Sequence, residues 1–168
     1  MGGLLAPRRR RDPSPGWVRG AGQALHAALG AGVVVQAGAG GAERRAAREA
    51  HAALLRAGVP ALLLDGLDLE ALGGALAALD LYVSANTGPA HLAAACGTPL
   101  VLLEGPSTAA ARPWGAERVD VVNLGLPCSP CRGSPHGRAC LAPRCLDDVP
   151  FARVVAAARQ VIDGDRGA

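Results

Sequence analysis

The sequence predicts an α/β fold in which a parallel sheet is covered by helices on both faces. Two patterns in the 168 residues lead to this prediction. Short strands that are apolar on both faces alternate with helical segments of about ten to sixteen residues, as expected for a parallel sheet buried between two helical layers. Glycine-rich or polar turns follow several strands, where parallel strands connect to helices. The length corresponds to one domain.

The first half of the chain contains two predicted strands and the helix between them. Residues 33–37 are rich in valine and lead into the glycine-rich residues 38–41, which predicts a strand and a turn. Residues 42–57 place leucines on one helical face and charged side chains on the other, and Gly58 is expected to end this helix. The next predicted strand is the apolar run at residues 61–64.

The second half continues the alternation of strands and helices. Asp68 is a candidate N-cap for a helix over residues 69–79. The last predicted helix spans residues 150–163, with Asp148 as its candidate cap and Gly164 as its stop signal. Between these helices, the predicted elements are strands at residues 81–84, 100–103 and 119–124 and a helix at residues 89–96.

The composition excludes several classes of protein. Half of the residues are apolar and the net charge is only +3, which argues against disorder. The longest apolar stretch is too short to span a membrane. All 17 basic residues are arginines, but aromatic residues make up only 2%, so we expect no nucleic-acid surface built on base stacking. The beginning of the sequence is unlike a secretory signal, and we therefore expect a cytoplasmic protein with at most peripheral membrane contact.

The turn at residues 84–91 has the chemistry of an anion site. Gly88 leaves room for a phosphate to approach the backbone, and Thr87 supplies a hydroxyl. The following helix presents free N–H groups and a partial positive charge, and His91 in its first turn donates to an anion when protonated. The alternative interpretation is that Asn86 and Thr87 merely cap a buried helix.

The glycine-rich turn at residues 38–43 is a second, weaker candidate. Its glycines can cradle an anion, but they do not match the pattern of a dinucleotide-binding motif. Glu43 can accept hydrogen bonds from ribose hydroxyls. Alternatively, Glu43 lies on the surface and stabilises the helix dipole.

Residues 79–101 read LDLYVSANTGPAHLAAACGTPLV and continue into LLEGPS. They contain, in this order, an Asp-Leu strand, a Thr-Gly followed by His, a Gly-Thr-Pro and a Gly-Pro. This order of motifs resembles glycosyltransferase family 9, the ADP-heptose:lipopolysaccharide heptosyltransferases. The resemblance implies the GT-B fold, in which two Rossmann-like lobes enclose the active site and the C-terminal lobe binds the nucleotide-sugar donor. Residues 1–168 would form that donor lobe, with a cysteine-rich loop at residues 127–148, and the N-terminal acceptor lobe is expected to be absent from this chain.

The resemblance assigns roles to the first turn. Thr87, Gly88 and His91 match the family's turn for the donor pyrophosphate. Asn86 stands where the family usually has Asp, so any hydrogen bond accepted by that carboxylate must here be accepted by an amide oxygen.

Three further donor contacts follow from the resemblance. Glu43 matches the glutamate that contacts the ribose, and Leu67 matches the apolar residue that packs on the adenine. The family's lysine has no counterpart, because the sequence contains no lysine. Arg8 and the arginines that follow it are the expected phosphate cations, and the alternative for them is a solvated terminal run.

The resemblance therefore implies a heptosyltransferase-type enzyme of lipopolysaccharide core or related surface-glycan synthesis, using an ADP-heptose-like donor and a lipid-linked or oligosaccharide acceptor. We expect no cofactor and no catalytic base within this chain, so the isolated chain should bind ADP or an ADP-sugar weakly and turn over little. The alternative is a non-catalytic binding module or a truncated remnant of such an enzyme.

Four cysteines form a C-x2-C-x8-C-x4-C pattern in the cysteine-rich loop. Thiolates at such spacing can bind zinc or an iron–sulfur cluster, but the second pair is not a C-x2-C and the family often carries cysteines here. The alternative, which we expect, is a loop of reduced thiols without metal. These cysteines are Cys128, Cys131, Cys140 and Cys145, whereas the fifth, Cys96, is expected in the core.

Overall fold

The computed structural model describes residues 2–4 and 12–164, and these residues form alternating strands and helices. The strands are β1 (Gly2–Leu4), β2 (Gly32–Gln36), β3 (Ala61–Leu64), β4 (Tyr82–Ala85), β5 (Leu100–Glu104) and β6 (Val119–Asn123). The helices are α1 (Pro15–Leu29), α2 (Gly41–Arg56), α3 (Leu69–Ala77), α4 (Gly88–Ala95), α5 (Pro135–Ala139), α6 (Arg144–Asp147) and α7 (Phe151–Asp163), and a 3₁₀ turn spans Ala109–Ala111.

The described strands pair in parallel only, and they form two three-stranded sheets. One sheet has the order β1-β2-β3 and the other β4-β5-β6. Strands β1 and β4 lie beside each other, so the six strands follow the order 3-2-1-4-5-6 across the molecule. The direction of the strand order reverses between β1 and β4, and ligands of open α/β sheets bind outside the carboxyl ends of the strands at such a point.

Both faces of the central strands are buried, which explains their unbroken apolar sequence. Along β4 and β5, side chains alternate between two clusters because successive residues of a strand point to opposite faces. Val83 and Val101 join the cluster that contacts α1 and α7. Tyr82 and Leu100 join the cluster formed with α3 and α4. The predicted α/β class, with helices on both faces of parallel strands, is confirmed.

Helix α1 was not predicted from the sequence. Glycines at three of its fifteen positions weaken the helical signal, since glycine disfavours a helix interior by about 1 kcal/mol relative to alanine. The helix forms because Ser14 caps it, its hydroxyl accepting from the Trp17 N–H at 3.2 Å. One face of the helix is also buried, at Trp17, Val18, Ala21, Gly22 and Leu25.

Two sequence expectations outside the site were wrong. Asp148 does not cap α7, because Pro150 occupies the N-cap position and Asp148 pairs with Arg144 at 2.7 Å. Cys96 is exposed at the end of α4, where the helix terminates before Gly97, and it does not contribute to the core.

Residues 127–148 contain two short helices, α5 and α6, within the predicted loop. None of the helices in the described part of the chain is both long and apolar enough to cross a membrane.

Candidate functional site

A cavity of about 740 Å³ opens at the carboxyl ends of the strands. Its walls come from the segments that follow β2, β3 and β4, with one contribution from the cysteine-rich loop. The volume lies within the usual range for small-molecule sites. The lining residues are Asp12, Gln36, Ala37, Gly38, Ala39, Gly40, Glu43, Arg44, Gly66, Leu67, Leu72, Asn86, Thr87, Gly88, Pro89, His91 and Arg132.

The start of α4 forms one wall of this cavity. Thr87 is the N-cap residue, yet its side chain makes no capping hydrogen bond. Its hydroxyl lies 3.4 Å from the hydroxyl of Ser84. A Cβ added to Gly88 would meet no atom within 4 Å, so this position is open to the cavity. The geometry does not support the alternative that Thr87 serves to cap the helix through its side chain.

Asn86 holds His91 in place at the same wall. The Asn86 Oδ1 atom lies 3.2 Å from His91 Nε2, and Asn86 Nδ2 donates to the carbonyl of Ala111 at 2.8 Å. The second hydrogen bond requires an amide, because an ionised aspartate has no proton to donate. Asn86 therefore connects the first turn of α4 to the 3₁₀ turn after β5.

Glu43 forms the opposite wall. Its Oε2 atom accepts a hydrogen bond from the backbone N–H of Gly40 at 3.0 Å. A Cβ on Gly38 would collide with the Glu43 carboxylate, so the close approach of this side chain requires glycine at position 38. Glu43 thus stabilises the start of α2, as the dipole interpretation expects, and also lines the cavity.

The remaining walls include apolar side chains from the segment after β3. Leu67 is 42% exposed and lines the cavity together with Leu72. Six of the seven residues predicted as donor contacts therefore lie around one cavity. Arg8, the seventh, lies outside the described residues. The structure brings the six together but contains no ligand, so their roles stay predictions.

Four polar lining residues were not anticipated from the sequence, namely Asp12, Gln36, Arg44 and Arg132. Gln36, at the end of β2, is buried, and its Nε2 donates to the Ala37 carbonyl at 2.7 Å. Asp12 precedes α1 and lines the cavity too. Arg132 enters from the cysteine-rich loop, 41 residues beyond His91 in the sequence, and no local pattern linked these segments.

Among the described residues, the arginines that line the cavity are Arg44 and Arg132, and Arg44 pairs with Asp65. Arg44 Nε lies 3.3 Å from Asp65 Oδ1, and Arg48 Nη2 lies 2.7 Å from Asp65 Oδ2. Asp65 follows the end of β3, and its carboxylate pairs with both Arg44 and Arg48. It therefore does not extend into the cavity as an unpaired negative charge. Asp68 accepts from the Ala71 N–H at 2.8 Å and caps α3, as predicted.

The cysteines of the loop are free thiols. Within residues 12–164, no three side chains of His, Cys, Asp or Glu are grouped to hold a metal ion. Burial raises the pKa of Cys145 to about 11, and burial also raises the pKa of Cys131. Burial therefore favours the protonated form of both thiols, and the buried Cys145 packs as a small apolar group.

Comparison with known proteins agrees with this geometry. A model of glycosyltransferase family 9 (heptosyltransferase) matches residues 24–141. Among solved structures, ADP-heptose LPS heptosyltransferase II of E. coli is similar over 99% of this chain and 47% of its own, with a TM-score of 0.76 and 20% identity. A glycosyltransferase family 9 protein from Veillonella parvula is similar over 97% of this chain and 46% of its own, with a TM-score of 0.73 and 15% identity.

A third solved structure, E. coli heptosyltransferase WaaC with ADP-2-deoxy-2-fluoro heptose, is similar over 73% of this chain and 36% of its own, with a TM-score of 0.56 and 24% identity. No curated protein matches the sequence significantly. The chain thus spans about half the length, or less, of these solved structures, and their similarity shows the fold alone. Because the family model covers more than half of the sequence, the chain belongs to glycosyltransferase family 9.

Proposed function

We propose that this chain is the donor-binding lobe of a GT-B glycosyltransferase and that its cavity binds a nucleotide sugar of the ADP-heptose type. The observation that carries the proposal is the convergence of three separate segments, those that follow β2, β3 and β4, on one cavity at the carboxyl ends of parallel strands. Such edges bind nucleotides because backbone N–H groups and helix N-termini point outward there.

Each wall suits a different part of the donor. The diphosphate would lie against the start of α4, where Gly88 admits its close approach and Thr87 offers a hydroxyl. His91, held by Asn86, would donate to a phosphate oxygen. The ribose hydroxyls would donate to Glu43, whose carboxylate is already positioned by the Gly40 N–H. Adenine would pack on Leu67.

The reaction would transfer a heptosyl group from this donor to a lipid-linked or oligosaccharide acceptor, in the cytoplasm, during synthesis of lipopolysaccharide core or a related surface glycan. Family membership and the neighbouring heptosyltransferases support this assignment. The acceptor would bind to a second lobe, because the chain corresponds to about half of those enzymes.

Calorimetric titration of the purified chain with ADP, ADP-heptose and a UDP-sugar tests the proposal. We expect binding of the two adenine nucleotides and weaker binding of the UDP-sugar. The variant Gly88→Ala should weaken ADP binding by about tenfold or more, since a methyl group at this position fills space against which the diphosphate would lie.

Gly74→Ala is the matched control for this variant. Gly74 is a helical glycine of α3 whose added Cβ also meets no atom within 4 Å, but it does not line the cavity. Both variants should keep or raise the melting temperature, because alanine favours helix over glycine by about 1 kcal/mol. Equal ADP affinity in the wild-type chain and Gly88→Ala would contradict the proposed position of the diphosphate, and absence of ADP binding to the wild-type chain would contradict the function.

A further inference from the structure

The proposed function assigns no task to the cysteine-rich loop, yet its residue Arg132 lines the cavity. We propose that this loop is a positioning device that presents the Arg132 guanidinium to the diphosphate of the nucleotide sugar. This inference rests on the proposed function, and it assigns the cation that neutralises the departing diphosphate.

A diphosphate leaving group requires a positive partner, because charge accumulates on it as the glycosidic bond breaks. The sequence contains no lysine, so arginine is the side chain with a permanent positive charge that can supply this partner, beside the start of α4 and His91. Among the described residues, Arg44 and Arg132 are the arginines that line the cavity, and Arg44 is engaged by Asp65 at 3.3 Å. Arg132 forms no side-chain ion pair or hydrogen bond with the described part of the chain. Its planar guanidinium matches two phosphate oxygens at once.

The backbone around Arg132 is anchored to the segment that follows β5. The N–H groups of Cys131 and Arg132 both donate to the carbonyl of Pro106, at 3.1 and 2.8 Å. The Ser129 hydroxyl donates to the carbonyl of Gly105. Strand β5 is the neighbour of β4, so these bonds hold the loop beside the strand whose following turn opens α4.

The loop is also closely packed within itself and against β5. The Ser134 hydroxyl donates to the Cys131 carbonyl at 2.7 Å, and a Cβ on Gly137 would collide with that same carbonyl oxygen. The Cys145 thiol packs against Gly105, where a Cβ would lie 2.7 Å from its sulfur. These contacts fix the segment that carries Arg132, and they give the Cys145 thiol a packing role beside β5.

Nucleotide titrations of Arg132 variants test the inference. In Arg132→Ala, ADP affinity should fall about 10- to 100-fold, the cost of losing a charged hydrogen bond. The affinity for adenosine, measured by ligand-observed NMR, should stay within about twofold of the wild-type value, because adenosine has no phosphate. Arg132→Lys should recover part of the ADP affinity, because lysine restores the charge but not the two-pronged geometry. Arg153→Ala on α7, which also removes an exposed arginine but lies outside the cavity, should bind ADP like the wild-type chain.

The double variant Arg132→Ala/Gly137→Ala tests the positioning role of the loop. Gly137→Ala alone should weaken ADP binding because it displaces the Cys131 carbonyl, and it should weaken binding no further once Arg132 is absent. Circular dichroism establishes that each variant is folded.

Three results overturn the inference while the proposed function stands. They are unchanged ADP affinity in Arg132→Ala, equal losses for ADP and adenosine, and a Gly137→Ala effect that persists in the double variant. Failure of the wild-type chain to bind ADP overturns the proposed function itself, and the inference with it.

Discussion

Glu104 is a buried carboxylate at the end of β5, and it is 5% exposed. Its hydrogen bonds connect it, through Arg112 and its neighbour Ala111, to Asn86 in the cavity wall. It accepts from Arg112 Nε at 2.8 Å, from Arg112 Nη2 at 2.9 Å and from Asn123 Nδ2 at 3.0 Å. Arg112 directly follows Ala111, whose carbonyl accepts from Asn86. A two-pronged ion pair thus fixes the turn that orients Asn86, and through it His91.

The hydrogen bonds from Arg112 hold the pKa of Glu104 below its ordinary value, despite burial. A lowered pKa in the folded state stabilises the protein above the unfolded-state pKa, which is about 4.3 for glutamate. This stabilisation is lost as the pH falls through the lowered folded-state value. Arg112→Ala should therefore reduce the free energy of unfolding by about 1–3 kcal/mol near pH 7, the lower part of this range reflecting the partial exposure of the arginine.

The measurement is urea denaturation of both proteins between pH 7 and pH 3. The difference between them should stay constant down to about pH 5 and shrink at lower pH, as Glu104 becomes protonated. Arg144→Ala is the control, because its pair with Asp148 is exposed and should contribute less than about 1 kcal/mol. A pH-independent difference for Arg112→Ala would refute the role of the Glu104 charge.

At the scale of elements, α1 and α7 are joined through one aromatic side chain. Trp17 is 4% exposed near the start of α1, and its Nε1–H donates to the carbonyl of Val149 at 2.9 Å. Its ring packs on Phe151 at the start of α7, with 5.9 Å between the ring centroids. The backbone N–H of Ser14 also donates to Asp147 Oδ1, at the end of α6, at 2.6 Å, so the start of α1 is held to the segment that leads into α7 at two points.

Trp17→Phe should destabilise the protein by about 1–3 kcal/mol, because the buried Val149 carbonyl loses its donor and the smaller ring leaves a gap. Trp114→Phe is the matched control. Trp114 is 96% exposed, so this variant should change the free energy of unfolding by no more than about 0.5 kcal/mol. Chemical denaturation followed by circular dichroism measures both, and equal stability of the two variants would refute the helix-joining role of Trp17.

At the scale of the whole molecule, the strand order 3-2-1-4-5-6 decides where a ligand can bind. The order reverses between β1 and β4, and the cavity lies on the carboxyl side of the strands, where open α/β sheets bind ligands. The molecule accounts for only about half of the family 9 structures that it resembles. A donor site on one lobe provides phosphate binding, but glycosyl transfer also needs an aligned acceptor and a base.

We therefore predict that the isolated chain binds ADP-heptose but transfers its sugar no faster than the background reaction. A missing base alone removes roughly 10²–10⁴-fold in rate, and the loss of acceptor alignment adds to this. The measurement is release of ADP, with and without a lipopolysaccharide acceptor, from protein whose nucleotide binding has first been established by calorimetry. Acceptor-dependent release of ADP by the purified chain would contradict the prediction.

The sequence predicted most of the fold because its signals are local. The apolar runs from residue 33 onward and the capping residue Asp68 determine strands and helices within a few neighbours, and the observed bounds differ from the predicted ones by one or two residues. Helix α1 was not predicted because its glycines weaken the helical signal in the sequence. Packing of its apolar face on the sheet stabilises the helix instead. Cys96 was assigned to the core from its apolar neighbours, but the end of α4 exposes it.

For the site, the sequence determined which turns carry the chemistry, and the resemblance to family 9 singled out residues such as Glu43 and Thr87. Only the tertiary structure decided that these turns share one cavity and that Arg132 enters it from the cysteine-rich loop. The physical reason is that motifs record short-range chemistry, whereas contacts across the sheet depend on strand order and on long-range hydrogen bonds such as those to Pro106.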